Sequence, residues 1–467
     1  MSDFRTERDT LGEVRVPADA LYGAQTQRAR ENFSISGLAP QRDYVWGMVL
    51  IKKAAALANV DTGRLDRAVG GAIVEAADEA LAGDLDGHFV VDPWQAGAGT
   101  SHNMNVNEVL ANRASEILGG SRVGTRRVHP NDHVNMAQSS NDTNPTAVRL
   151  GALRLLPGLL DALHGLRSTL ELKSNEFDGI VKSARTHLQD AVPIRLGQEF
   201  SGYAAAVGMA AERVREAGSS LEELNIGATA AGTGINAEPA YIERVVEHLR
   251  SLTGFDLRRG ENFFRLTQSG ADMAHLSSAV KNAAVEISRI ASDLRLLASG
   301  PRTAIAEIVL PPVQPGSSIM PGKVNPSMAE MMNMVCFQVI GLDEVCELAA
   351  HSGQLDLNVF WPVFAFNLLF AMTILRNAVE AFTKRCVAGI EADAERCREL
   401  MERSLMLATA LTDYIGYEAA AALAKKAFEQ RRTVREVAVE EGVLDADQLD
   451  KVLDATPMTE PGVPGRA

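Results

Sequence analysis

Apolar residues recur at helical spacing through the middle of the chain. Leu276, Val280, Ala283, Ile287, Ile290, Leu294 and Leu297 alternate four and three residues apart, a heptad seam of the kind that packs helices side by side. Gly300-Pro301 is expected to end it. A second stripe holds Met328, Met331, Met332, Val335, Cys336, Val339 and Ile340. It opens behind Asn325 as N-cap and Pro326 at the first helical position, and Gly341 is expected to close it. Its methionines read as core packing rather than as a ligand set. A third stripe, Val148, Ala152, Leu155, Leu159, Leu163, Leu166 and Leu170, is expected to start at Asn144-Pro145 and to kink at Pro157. Strand-like alternation is scarce. The pattern predicts a mainly α protein in three parts. Residues 1–140 form a mixed segment with many polar breaks, 141–395 a central bundle of long helices, and 396–467 a small helical domain ending in the tail TPMTEPGVPGRA. A seam this long calls for partner helices, which an oligomer supplies.

Composition narrows the function classes. The 467 residues are 46% hydrophobic and 23% charged, an ordinary globular balance, and the net charge is −14. No local basic patch offsets that charge, so no nucleic-acid partner is expected. The acidic balance does not exclude an anionic substrate, which a few placed cations can meet. Cys336, Cys346, Cys386 and Cys397 are spaced unlike any zinc pattern, and Cys336 is expected to be a buried thiol. The charged start MSDFRTERDT lacks the apolar core of a signal peptide, and no run of about eighteen apolar residues is found. A cytoplasmic protein with no membrane partner is expected.

Four polar segments interrupt the apolar pattern. GAGTSHNMNVNE (97–108) carries Thr100, Ser101, Asn103 and Asn105. HPNDHVNMAQSSND (129–142) carries Ser139, Ser140 and Asn141. RTHLQDAVP (185–193) carries Thr186 and His187. GSSIMPGKVNP (316–326) sets Ser317 and Ser318 between Gly316 and Gly322, followed by Lys323 and Asn325. The last is not a phosphate-binding P-loop: five residues separate Gly316 from Gly322-Lys323, and Val324 stands where Ser or Thr would hold magnesium. Taken singly, such Asn/Ser/Thr clusters are most often helix caps, and a lone His187 is more often structural than catalytic. His129 and His133 stand four apart without the third ligand of a zinc site. Taken together, neutral donors beside one lysine suit a small carboxylate better than a metal, and no metal is expected.

All four segments, and the chain from RTERDTLGEVRVPADALYGAQTQRA (5–29) to PMTEPG, resemble the fumarase/aspartase family. The resemblance implies a cofactor-free, three-domain helical homotetramer with a twenty-helix core. Each active site would be built from three subunits. The reaction would eliminate ammonia or water from a small dicarboxylate through an enediolate. By the same resemblance Ser317 is the general base on a mobile loop. Thr100, Ser139, Ser140 and Ser318 hold the reacting carboxylate, and Lys323 and Asn325 hold the other, with Thr186 and His187 nearby. Asn141 contacts the leaving group, while Glu330 pairs with His187 in a supporting role. His129, Asn131 and Asp132 form a second anion site.

Subfamily features are mixed. NIGATA (225–230), LRLLASGP (294–301), GQLDLN (353–358) and TSHNMN (100–105) resemble aspartate ammonia-lyases. SSND with Ser140, AQTQRA (24–29), NVFWP (358–362) and SLMLATAL (404–411) resemble class II fumarases. The chain departs from both at Thr412-Asp413 and at Trp361. The resemblance is closest overall to the ammonia-lyases. It implies deamination of L-aspartate to fumarate, with hydration of fumarate to L-malate as the alternative. A non-catalytic crystallin-like oligomer is the alternative of another class.

Overall fold

The computed structural model describes residues 4–122 and 125–465. The first three residues of the charged start and the last two of the tail lie outside them. The chain is mainly helical, with five helices of 24 residues or more: Ser140–Glu176, Leu196–Ser219, Ala271–Leu297, Ser327–His351 and Trp361–Arg385. Strands occur only in two-stranded pairs among the described residues. The seam behind the Ala271–Leu297 helix is borne out, because Leu276, Val280, Ala283, Ile287, Ile290 and Leu294 are all fully buried.

Three boundaries differ from expectation. Gly341 does not close its helix, which continues to His351. A helix-interior glycine costs about 1 kcal/mol, and burial of Leu342, Cys346 and Ala349 beyond it outweighs that. The Ser140–Glu176 helix begins four residues before Asn144 and continues through Pro157 without interruption. Pro145 has no N–H to give the Asn141 carbonyl, and the Asn225 Nδ2 donates to that carbonyl instead at 3.3 Å. Helical geometry therefore reaches back to the polar Ser140-Asn141 pair. Asn325 does not act as a helix cap either: its Nδ2 donates to the Gly316 carbonyl at 2.7 Å.

By length and composition the stretch Trp361–Gly389 is apolar enough to cross a membrane. However, 61% of that window is buried inside the protein, and Trp361, Phe364, Leu368, Met372, Leu375 and Phe382 are fully buried. The burial makes it a core helix. All four cysteines are free and buried, and burial pushes the Cys336 thiol up to about 12.

The chain divides into two compact units. The first comprises Met1–Asp161, Glu212–Ala284 and Cys336–Arg376. Within it the Arg42–Asp61 helix packs on Arg67–Ala82, Pro239–Thr253 and Thr100–Ile117. The second comprises Ala162–Ala211, Val285–Val335 and Asn377–Ala467. Its C-terminal part closes around Leu411, Leu423, Ala427, Val437 and Val452, and the Val434–Glu441 helix is held by a Thr433–Glu436 capping box.

Candidate active site

In the first unit two helix starts converge. Gly99, at a φ of +73°, hands the chain into the Thr100–Ile117 helix, and a side chain there would collide with Asn144 and Tyr44. Thr100 is thereby placed with its Oγ1 3.2 Å from the Ser140 Oγ, at the start of the Ser140–Glu176 helix. The Ser139 Oγ accepts the Asn141 N–H at 3.2 Å. The Asn141 Nδ2 donates to the Ala230 carbonyl at 2.7 Å, and its Oδ1 accepts only a long contact, 3.4 Å, from the Ser140 Oγ. A carbonyl can only accept, so this bond settles which end of the amide is which. The cluster presents uncharged hydroxyls and the positive ends of two helices, which suit an anion, beside one amide oxygen, which can only accept.

Behind this cluster lie two buried charges absent from the sequence reading. Asp142 accepts N–H bonds from Ser139, Gly227 and Thr229 at 2.9, 3.0 and 2.9 Å. Burial pushes its carboxyl up to about 7, against the pull of those bonds and of the Lys52 charge. The Lys52 Nζ donates to the amide oxygens of Asn103, Asn135 and Gln138 at 2.7, 3.0 and 2.8 Å. Burial brings its ammonium down to about 7, offset in part by the Asp142 charge. A lysine inside the apolar run VLIKKAAALA was the available signal for this network.

The turn expected as a second anion site is also in this unit. Pro130–Val134 forms one π-helical turn. The His129 Nδ1 accepts the Asp132 N–H at 3.2 Å, and His129, Asn131 and Asp132 are exposed.

In the second unit Thr186 and His187 cap a hairpin. Val181–Thr186 pairs antiparallel with Gln189–Arg195, and Thr186 faces Gln189. The two connecting residues, His187 and Leu188, have φ of +57° and +59°. A two-residue turn left-handed at both positions matches the strand twist and normally takes Asn-Gly. Side chains there cost about 1–3 kcal/mol each. The hairpin is braced from behind. Arg185 makes two 2.8 Å bonds to Glu307, and Glu307 also lies 3.1 Å from Lys182. Lys182 in turn pairs with Glu199 at 3.2 Å. Both Glu307 and Lys182 are buried.

The Ser317 loop belongs to the same unit. Gly316 and Lys323 meet at its neck, where the Gly316 N–H bonds the Lys323 carbonyl at 2.8 Å. A Cβ on Gly316 would stand 2.5 Å from that carbonyl, so only glycine fits. The Ser317 Oγ accepts two backbone N–H bonds, from Ile319 at 3.2 Å and Met320 at 2.9 Å. The loop opens onto a cavity of about 540 Å³ lined by Ser317 and Lys323 among its own residues. Ser318 and Lys323 are exposed. Among the described residues no hydrogen bond or ion pair joins His187 to Glu330 or to the loop, and no group of three or more His, Cys, Asp or Glu side chains is placed to hold a metal ion. The structure thus brings Thr100, Ser139, Ser140 and Asn141 together in one unit. Thr186, His187, Ser317, Ser318, Lys323, Asn325 and Glu330 lie in the other.

Known proteins are similar to this chain over nearly its whole length. A family model described as Lyase matches residues 12–341, and one described as Fumarase C C-terminus matches 407–460. An aspartate ammonia-lyase of Bacillus sp is 47% identical over 465 residues, covering 100% of this chain and 99% of that protein. A class II fumarate hydratase of Ralstonia nicotianae is 47% identical over 447 residues, covering 96% and 97%. A solved structure described as fumarate lyase:delta crystallin from Brucella melitensis bound to cobalt superposes with a TM-score of 0.94 at 47% identity, covering 98% of this chain and 100% of that one. With its helical fold, its donor cluster and its serine loop, the chain belongs to the fumarase/aspartase family of lyases.

Proposed function

We propose that the chain is an aspartate ammonia-lyase, converting L-aspartate to fumarate and ammonia. The observation that carries this reading is the Asn141 amide. Its NH₂ end is held by the Ala230 carbonyl, so Oδ1 is the end left for a ligand. An acceptor oxygen suits an ammonium, which only donates. It offers no proton to a departing hydroxyl, which elimination of water requires.

The reaction removes a proton from the carbon beside one carboxylate. Ser317, as its alkoxide, takes that proton, and the electron pair moves into the carboxylate to give an enediolate dianion. Thr100, Ser139, Ser140 and Ser318 donate hydrogen bonds to that group, the form of stabilisation that lowers such barriers most. The dianion then collapses to the double bond and the C–N bond breaks. Ammonia leaves past Asn141, and the Ser317 proton passes to solvent. Two N–H dipoles aimed at the Ser317 Oγ favour its negative charge. Lys323 and Asn325 hold the second carboxylate, Thr186 and His187 flank it, and Glu330 supports His187 from a neighbouring subunit. His129, Asn131 and Asp132 serve as a second anion site.

These residues meet by assembly. The Ser327–His351 helix exposes Met334, Phe337, Val345 and Leu348, at 62%, 63%, 38% and 53%. Such a face on a long helix favours burial against further copies of the chain. The reading is a homotetramer with each site drawn from three subunits, and light scattering should give four times the chain mass.

A second reading has its own observation. The Ser140 Oγ, paired with the Thr100 Oγ1, can donate to a leaving hydroxyl, and the fumarate hydratase relative is as identical as the ammonia-lyase. Paired assays with L-aspartate and L-malate, following fumarate absorbance and free ammonium, separate the two. Turnover of aspartate with stoichiometric ammonium is expected. Turnover of malate alone overturns the preferred substrate, and a folded tetramer inactive on both points to a crystallin-like role. Lys323→Ala should raise KM roughly ten- to a hundred-fold, as loss of a charge-assisted carboxylate contact costs about 1.5–3 kcal/mol. An unchanged KM would assign the anchoring to another residue.

A further inference from the structure

Asp142 stands where three backbone N–H groups turn inward. Its Oδ1 takes the Ser139 N–H, while its Oδ2 takes those of Gly227 and Thr229. The side chain is fully buried. Thr229 sits at a φ of +56°, a left-handed conformation that a β-branched residue holds only when its surroundings impose it. The bond to Asp142 is one such constraint. The very next residue, Ala230, supplies the carbonyl that fixes the Asn141 amide at 2.7 Å. One carboxylate therefore ties the Ser139–Asn141 turn to the turn at residues 227–230, and the Ala230 carbonyl points where that tie puts it.

The opposite side of the turn is held by Lys52. Its three bonds gather Asn103, Asn135 and Gln138, and the Thr143 Oγ1, one residue beyond Asp142, donates to the same Asn103 oxygen at 3.2 Å. Asn225 completes the frame, with its Oδ1 accepting from the Thr146 Oγ1 at 3.2 Å while its Nδ2 holds the Asn141 carbonyl. Neither Asp142 nor Lys52 is exposed, so neither serves by touching substrate. Their arrangement constrains the atoms that do.

We propose that Asp142 is a positioning residue for the leaving-group contact: it clamps the 227–230 turn so that the Ala230 carbonyl holds the Asn141 Nδ2 and keeps Oδ1 aimed at the substrate's amino group. This rests on the aspartate reading above and adds a determinant of leaving-group affinity to it. In Asp142→Asn the NH₂ end of the new amide would face N–H donors, at least one of the three bonds is lost, and the 227–230 turn shifts with Ala230.

The test is the reverse reaction, addition of ammonium to fumarate, which gives each ligand its own KM. Asp142→Asn is expected to raise KM for ammonium at least ten-fold while KM for fumarate stays within two-fold and the oligomer persists. A merely structural role would move both constants together or neither, and either result overturns the inference. If the variant does not fold, the parent enzyme solved with L-aspartate decides. Asn141 Oδ1 within hydrogen-bond reach of the amino nitrogen, with Nδ2 still on the Ala230 carbonyl, supports the inference, and an amide rotated off Ala230 overturns it. A parent that consumes fumarate without ammonium overturns the aspartate reading and this inference with it. A parent that aminates fumarate while Asp142→Asn leaves the ammonium KM unchanged overturns the inference alone.

Discussion

Ser317→Ala is expected to fold and associate like the parent and to lose roughly 10²–10⁴-fold in kcat, the usual contribution of a positioned proton acceptor. The two effects separate because of where the serine sits. The hydroxyl's partners are the N–H groups of Ile319 and Met320, and both residues are exposed. Water can satisfy those donors once the oxygen is gone, so the stability cost stays within the range of surface substitutions, about 0.5 kcal/mol. No other side chain among the described residues bonds to that oxygen. The loop neck, held by Gly316, Lys323 and Asn325, does not depend on it. Stopped assays on the purified protein, with its mass and thermal midpoint measured alongside, check both halves. Turnover within two-fold of the parent would remove Ser317 from the role of base.

The second large effect is on stability. Glu307→Gln should destabilise the protein by about 3–5 kcal/mol, the cost of breaking a buried ion pair by removing one partner. Glu307 is fully buried and faces two cations, Arg185 in a two-bond contact and Lys182 at 3.1 Å. After the substitution Lys182 and Arg185 are left with Glu199, and Arg185 with Asp190 as a further negative charge, while the new NH₂ points at a donor. The partners explain the sign. Burial pushes the Glu199 carboxyl up while the Lys182 charge pulls it back, so Glu199 alone is a poor counterweight for both. Denaturant midpoints measure the loss. Lys182→Met combined with Glu307→Gln should cost less than Glu307→Gln alone, because one unpaired buried charge goes with it. A midpoint unchanged in the single variant would show that the network contributes no net stability. The brace also ends at the turn proposed to flank the substrate, since Arg185 directly precedes Thr186 and the left-handed His187-Leu188 pair. KM should therefore rise in the folded fraction.

Local signals made much of this protein legible from its residues. The seam from Leu276 to Leu294 is buried as its spacing implied. The serine loop reads as a loop from Gly316, Pro321 and Gly322, and the structure keeps it exposed. The boundaries that failed did so where a distant group intervened. The start of the Ser140 helix depends on Asn225, 84 residues away from the carbonyl it satisfies. Gly341, directly behind Val339 and Ile340, reads as a helix end, yet burial of Leu342, Cys346 and Ala349 beyond it carries the helix on.

Periodicity and contiguous motifs determined the helical class, the family and the candidate donors, because each rests on neighbours a few positions apart. Which donors gather in one place, and which way an amide faces, was decided only by the folded chain. Asp142 meets N–H groups 85 and 87 residues away, and Arg185 meets a carboxylate 122 residues away. Contacts of that span leave no trace in local pattern. They exist because burial forces each polar group to find a partner wherever the packing puts one.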